Sequence, residues 1–242
     1  MAHDTAADTG QRIVILGGTS GIGLATARLA AARGAEPLLV GRDPQRLAAA
    51  VAETGATRSA AFDVTDEPAL ADFLASVGSI DHVLVTTGGP HYAPFATMDL
   101  DGARAAFDTR LATMLLVARH AASRMRSGGT IVFLAGTGTR RPAVGLSVTA
   151  AMNEAAEALV KGLALEVAPV RVNLIAAGFV DTPLSAALLG DHLDERRAGL
   201  RATLPIRRVV QPEDVAELAL HLMANTAITG GIYDIDGGEQ LL

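Results

Sequence analysis

Short apolar runs alternate with longer amphipathic stretches from residue 12 to the end of this 242-residue chain, and that alternation limits the possible folds most. The runs are RIVILG (12–17), PLLVG (37–41), RSAAF (58–62), HVLVTT (82–87), TIVFLAG (130–136), VRVNLIA (170–176) and GIYDID (231–236). Helical periodicity fills 22–34, 44–54, 66–77, 100–126, 148–168 and 212–224. Strands that are apolar without alternating suit a parallel sheet covered on both faces. Helix punctuation agrees: Gly34 follows the first helix, Asp66 and Pro68 open the third, and Gln211-Pro212 opens the last. The pattern predicts a doubly wound α/β sheet of seven parallel strands with helices on both faces. It spans 12–242 as a single domain, after a flexible tail at 1–11.

Composition removes several functions. Half the residues are apolar and 19% are charged, enough for a large core. The net charge of −6 comes without a basic patch, which argues against a nucleic-acid partner. No cysteine is present, so disulfides and thiolate chemistry are absent. MAHDTAADTGQ lacks the basic end and apolar stretch of a secretion signal, and no apolar run reaches the roughly 18 residues of a membrane span. The expectation is a cytoplasmic protein with no membrane partner.

RIVILGGTSGIGLATARLAAARG reads strand, glycine turn, helix. Gly17, Gly21 and Gly23 are spaced G-x3-G-x-G, with Thr19, Ser20 and Ile22 completing the turn. Such glycines let backbone N–H groups and a helix N-terminus approach a pyrophosphate, although a turn alone would also use them. The next strand ends in VGRDPQRL. An acidic residue at its end would hold ribose hydroxyls and favour NAD(H). Gly41 stands there instead, followed by Arg42, whose forked guanidinium suits the extra phosphate of NADP(H). NADP(H) is therefore favoured over NAD(H).

LGGTSGIG, FDV (62–64), VTTGG (85–89), LIAAGFVDTPL (174–184) and ITGGIYDIDGG (228–238) occur in this order, and together they resemble the short-chain dehydrogenase/reductase family, a Rossmann-type fold. The resemblance runs from residue 12 to about 240. It implies that Asp63 and Val64 edge the adenine, that Gly88 lies near the ribose, and that Val180 and Thr182 meet the nicotinamide carboxamide. Thr86 and Thr87 replace two asparagines of the family's N-N-A-G, and Ala177 replaces its usual proline.

The family's reductases use Ser, Tyr, Lys and Asn, because hydride arriving at a carbonyl carbon leaves an alkoxide that needs a proton. A phenol supplies it once a neighbouring cation lowers its pKa. The register set by EALVKGLALE (157–166) and VRVN (170–173) puts Thr149 at the Tyr position and Asn153 at the Lys position. Gly136 takes the Ser position and Arg110 the Asn position. An aliphatic hydroxyl is a poor general acid, though Thr149 could orient a carbonyl. Because amide and cation have changed helices, Arg110 is expected either to reach into the space left by the Lys, holding a ribose or an oxyanion, or to pair at the surface with Asp108.

Other proton donors come from PHYAPF, in the loop after VTTGG. His91 brings an imidazole, a group that as a class titrates near neutrality, and Tyr92 a phenol. Either could lean over the nicotinamide; otherwise His91 faces water and Tyr92 packs on Phe95. Arg140 and Arg141 border the expected substrate mouth. DHLDERR (191–197) reads as the polar face of a lid helix, and no metal site is expected. His82 and His221 read as packing residues, and His120 as one position on a long helix.

Three functions stay open. The first is an NADP(H)-dependent oxidoreductase of unconventional mechanism, acting on a carbonyl, hydroxyl or quinone-like small molecule. The second is a catalytically inactive nucleotide-binding module, a sensor or oligomer partner. The third is a non-redox enzyme using the same pocket. The resemblance also implies a homodimer or homotetramer built through the two long helices and the last strand.

Overall fold

The structure, a computed structural model, describes residues 9–242. Most of the expected tail lies outside the described residues. Its last part is tied down: the Gly10 N–H donates to Gly34 O (2.8 Å), and Gln11 O accepts from the Glu36 N–H (2.7 Å).

Seven parallel strands form one sheet in the order β3-β2-β1-β4-β5-β6-β7: β1 (Arg12–Leu16), β2 (Glu36–Gly41), β3 (Arg58–Ala61), β4 (Ile80–Val85), β5 (Met125–Gly136), β6 (Arg171–Ala177) and β7 (Ile232–Ile235). The helices are α1 (Gly21–Ala32), α2 (Pro44–Thr54), α3 (Glu67–Ser76), α4 (Leu100–Ala122), α5 (Ser147–Glu166), α6 (Pro183–Leu189), α7 (Leu193–Thr203) and α8 (Pro212–Ala224). The predicted class and all seven strands are confirmed. Successive strand residues face opposite ways, so each strand feeds two cores. Ile13, Ile15, Leu39, Leu84, Val132 and Ile175 meet α1, α2 and α8, while Val14, Leu16, Val83, Ile131, Phe133 and Leu174 meet α3, α4 and α5.

Two boundaries differ from the expectation. The helix predicted over 100–126 ends at Ala122, and β5 begins at Met125. Helices α6 and α7 form where only a lid segment around 191–197 was expected. Thr182 caps α6 by accepting from the Ser185 N–H (3.2 Å), and Pro183 occupies its first turn.

The strand order reverses between β1 and β4, because the chain winds outward to β3 and then returns. A crevice opens at the carboxyl ends of those two strands, where doubly wound sheets bind ligands.

Candidate active site

The glycine turn after β1 is built against β4. Gly17 has φ +97°, and a Cβ there would stand 2.3 Å from Thr86 Oγ1. Thr86 in turn donates toward Leu16 O (3.1 Å) and Gly17 O (3.2 Å), which is what the replacement of an asparagine accomplishes here. Ser20 enters α1 in extended conformation without capping it by its side chain. The first-turn N–H groups at Gly21, Ile22 and Gly23 therefore keep their donor capacity for an anion. Across the crevice, the Thr182 methyl lies 3.3 Å from where a Gly21 Cβ would be. Val180, buried and bridged to Val210, anchors that opposite wall.

At the adenosine end, a Cβ on Gly41 would stand 2.3 Å from the Thr19 methyl. Thr19 thus occupies the space a ribose-binding carboxylate would need. Arg42 projects into solvent, 81% exposed, with Asp63 Oδ2 3.9 Å away. The Thr65 backbone N–H (3.0 Å) and hydroxyl (2.7 Å) hold the Asp63 carboxyl below the usual carboxylate range, and Arg42 adds to this. Val64 beside it is buried. The residues present fit a nicotinamide dinucleotide, and the exposed guanidinium, held only by a contact with Asp63 at the limit of an ion pair, fits NADP(H).

The catalytic end corrects several expectations. Arg110 is buried and does not pair with Asp108. It donates to Leu134 O (2.7 Å) and Gly88 O (3.0 Å), tying the loop after β4 to the end of β5. Those bonds commit its two terminal nitrogens to the backbone and leave Nε, beside Gly88, without a partner. Burial pushes its guanidinium pKa down, with Tyr92 opposing.

Thr149 lines the cavity with its hydroxyl engaged by the backbone of His91. Its hydroxyl donates to His91 O (2.8 Å) and accepts from the His91 N–H (3.0 Å), so its one proton is already used. The loop backbone is thereby drawn onto α5 where the family's phenol would stand. The His91 ring does not face water. It lies against the first turn of α4, with Cε1 3.4 Å from where a Gly102 Cβ would be. Tyr92 does not pack on Phe95, which is 83% exposed; it lines the cavity. Although half of Tyr92 meets solvent, partial loss of water raises the pKa of its phenol, while Arg110 and Arg196 pull it back.

The cavity has a volume of about 640 Å³ and lies between the ends of β5 and β6, α5 and α6. Asn153 is 1% exposed at its inner wall. Its Oδ1 accepts from the Gly136 N–H (3.2 Å), which sets the orientation of the amide and turns Nδ2 toward Gly136 and Gly138. A side chain at Gly136 would crowd it at 3.2 Å, and one at Gly138 would touch it at 3.5 Å. Asn153 Nδ2 is one of four buried polar side-chain atoms without a partner among the described residues. The others are Thr87 Oγ1, His91 Nε2 and Arg110 Nε. Buried polar atoms are rarely orphaned, and of the four only Asn153 Nδ2 belongs to a residue that lines the cavity.

The cavity also takes in Phe179, Ser185, Arg196 and Glu239, which the sequence reading did not assign to it. The signal was faint: a lone acid in GGEQLL, and the first of two arginines in the lid segment. Arg140 is tied to Glu157 and to Asp234 (3.0 Å), whereas Arg141 lines the cavity. Elsewhere, His82 is buried, His120 bonds Glu67 (2.7 Å), and His221 is exposed rather than packed. No cluster of three or more metal-ligating side chains occurs among the described residues.

Fold and crevice together define a dinucleotide-binding α/β protein of the oxidoreductase type. A family profile described as enoyl-(acyl carrier protein) reductase matches residues 17–240, and the chain belongs to the short-chain dehydrogenase/reductase family. The chain is 33% identical to the short-chain dehydrogenase/reductase ucsE of an Acremonium species, over 95% of each chain. Among solved structures, the MalC reductase/Diels–Alderase of Malbranchea aurantiaca superposes with a TM-score of 0.91 at 27% identity, covering 99% of this chain and 100% of that one. A small-chain dehydrogenase in complex with NADPH gives 0.82 at 29%, covering 96% and 100%.

Proposed function

We propose that the protein is an NADP(H)-dependent oxidoreductase that reduces a carbonyl or quinone-like small molecule in the cavity beside Asn153. The orphaned donor Asn153 Nδ2 carries this reading, since a buried N–H without a partner is a site built for an incoming oxygen. NADP(H), which the exposed Arg42 and the complex formed by a structural relative both favour, supplies the hydride when bound.

The side chains then divide the remaining work. Asn153 Nδ2 donates to the substrate oxygen as negative charge develops on it, with the amide locked in advance by Gly136. Tyr92 hands that oxygen its phenolic proton and is reprotonated from the solvent side. A raised pKa keeps the phenol protonated at neutral pH. An alkoxide is a far stronger base than a phenolate, so the transfer still runs downhill. Substrates whose products are stabilised anions need Tyr92 least. Arg110 positions the loop that carries Tyr92 and lends it positive potential.

We further propose that the protein is a homo-oligomer in the cytoplasm. The outward Leu115 of α4 and Leu165 of α5, 51% and 82% exposed, favour pairing through those helices. No described helix is long and apolar enough to cross a membrane.

Fluorescence titration with NADPH and NADH, followed by NADPH oxidation across aldehydes, ketones and quinones, tests the reading. NADPH binding with turnover that drops about 10²-fold or more in Asn153→Ala is expected, the size of a lost oxyanion donor. No NADPH binding would refute it. A second reading, a cyclisation needing no proton donor, draws on the likeness to a reductase/Diels–Alderase and on the absence of the usual Tyr–Lys pair. NADPH binding with no turnover across the panel would favour it, or a sensor role.

A further inference from the structure

The cavity carries a charge pattern that hydride transfer does not use. Arg141, Arg196 and Glu239 are the charged residues of its lining, an excess of one positive charge in a chain whose net charge is −6. Arg196 is committed: it donates to Glu239 Oε1 (2.5 Å), and its guanidinium lies 5.7 Å from the centre of the Phe179 ring. Arg141 is not. Its side chain is half exposed, the nearest carboxylate oxygen is Glu239 Oε1 at 4.0 Å, and its contact with the Glu239 carbonyl stretches to 3.5 Å. The neighbouring Arg140 is neutralised by Glu157 and Asp234, with Glu154 at 3.8 Å. Of two consecutive guanidiniums, one is built into the fold and the other faces the cavity with its fork nearly free.

We infer that the substrate carries a carboxylate, gripped at the rim by Arg141 beside Arg196, while its reacting oxygen meets Asn153. This deepens the reading above and rests on it for the placement of the reacting end. A planar fork matches a carboxylate in two parallel hydrogen bonds, and Arg141 gives up only a contact at the limit of an ion pair to make them. A single excess charge matches a monoanion better than a phosphate dianion. Glu239 keeps Arg196 turned inward and repels a second anionic group.

The test uses matched probes. Calorimetry, run with and without NADP+, compares 4-carbamoylbenzoate with neutral terephthalamide. NADPH oxidation compares 4-formylbenzoate with 4-formylbenzamide and with 4-formylphenylphosphonate. The carboxylate is expected to bind about 10-fold or more tightly than the amide, the worth of one charge-assisted pair, and the preference to shrink to about twofold in Arg141→Ala. Arg141→Lys, a point charge without the fork, retains part of it. Equal binding, no binding of either probe, a preference that survives Arg141→Ala, or a stronger preference for the phosphonate overturns the inference. Failure of NADPH to bind sinks the hydride-transfer reading and leaves the cofactor-free calorimetry to decide this one. Intact NADPH binding without an anion preference sinks this one alone.

Discussion

Thr149→Val is the substitution that most directly tests how this site is held together. Valine keeps the shape of a side chain that is 5% exposed, so packing is preserved and only the hydroxyl is lost. That hydroxyl makes two hydrogen bonds, 2.8 and 3.0 Å, to the carbonyl and N–H of His91, 58 residues away in the chain. Both backbone groups are left unpaired in a part-buried loop, at roughly 1–3 kcal/mol each where water cannot reach them. Partial access of water favours the lower end, a total of about 2–4 kcal/mol. For a domain of this size that lowers Tm by roughly 5–15 °C. Urea denaturation followed by far-UV circular dichroism measures the change, and amide hydrogen exchange at residues 88–95 separates global loss from local release of the loop. Thr149→Ser, which keeps the hydroxyl, is expected within about 1 kcal/mol of the parent, near the net worth of one hydrogen bond. A valine variant within about 0.5 kcal/mol of the parent, the range of a neutral surface change, with unaltered exchange at the loop, refutes the reasoning.

Arg42→Ala is expected to weaken NADPH binding about 10–100-fold, the worth of charge-assisted hydrogen bonds to a phosphate. NADH binding should change little, and an equal loss for both cofactors in fluorescence titration contradicts the role given to Arg42. His82 accepts from the Thr130 N–H at Nδ1 (3.3 Å) and donates from Nε2 to Gln11 (3.0 Å), and burial lowers its pKa to about 4. The unfolded chain takes up this proton below about pH 6.5 and the folded one only near 4. Its contribution is therefore complete above 6.5 and falls by about 3 kcal/mol as the pH drops to 4. Thermal melts across that window should show a smaller slope in His82→Asn, and an identical slope rejects the assignment. If Tyr92 is the proton carrier, oxidation of an alcohol should accelerate with pH through and beyond the ordinary phenol range, because burial raises its pKa. Tyr92→Phe should remove that limb; its persistence points to another group.

The chemistry of this protein was less legible than its architecture. The nucleotide cradle could be read because Gly17, Gly21 and Gly23 lie within one strand-turn-helix unit, where local geometry dictates residue type. The roles of Arg110 and Thr149 could not. Arg110 binds carbonyls at Gly88 and Leu134, more than 20 residues away on either side, and Thr149 binds the backbone of a distant loop. A sequence register shows which residue replaces a lost catalytic group. It does not show what the new residue touches.

The sequence by itself determined the seven-stranded doubly wound sheet and the glycine turn that opens its first helix. Periodicity, capping and glycine placement are local properties, written within ten or twenty residues. Only the tertiary structure decided that Asn153 presents an unpartnered amide to the cavity, that Tyr92 lines it, and that Arg141 faces it while Arg140 is sealed by acids. These are partnerships among side chains and backbone brought together by packing across the sheet, and no periodicity along the chain encodes which atom is left without a partner.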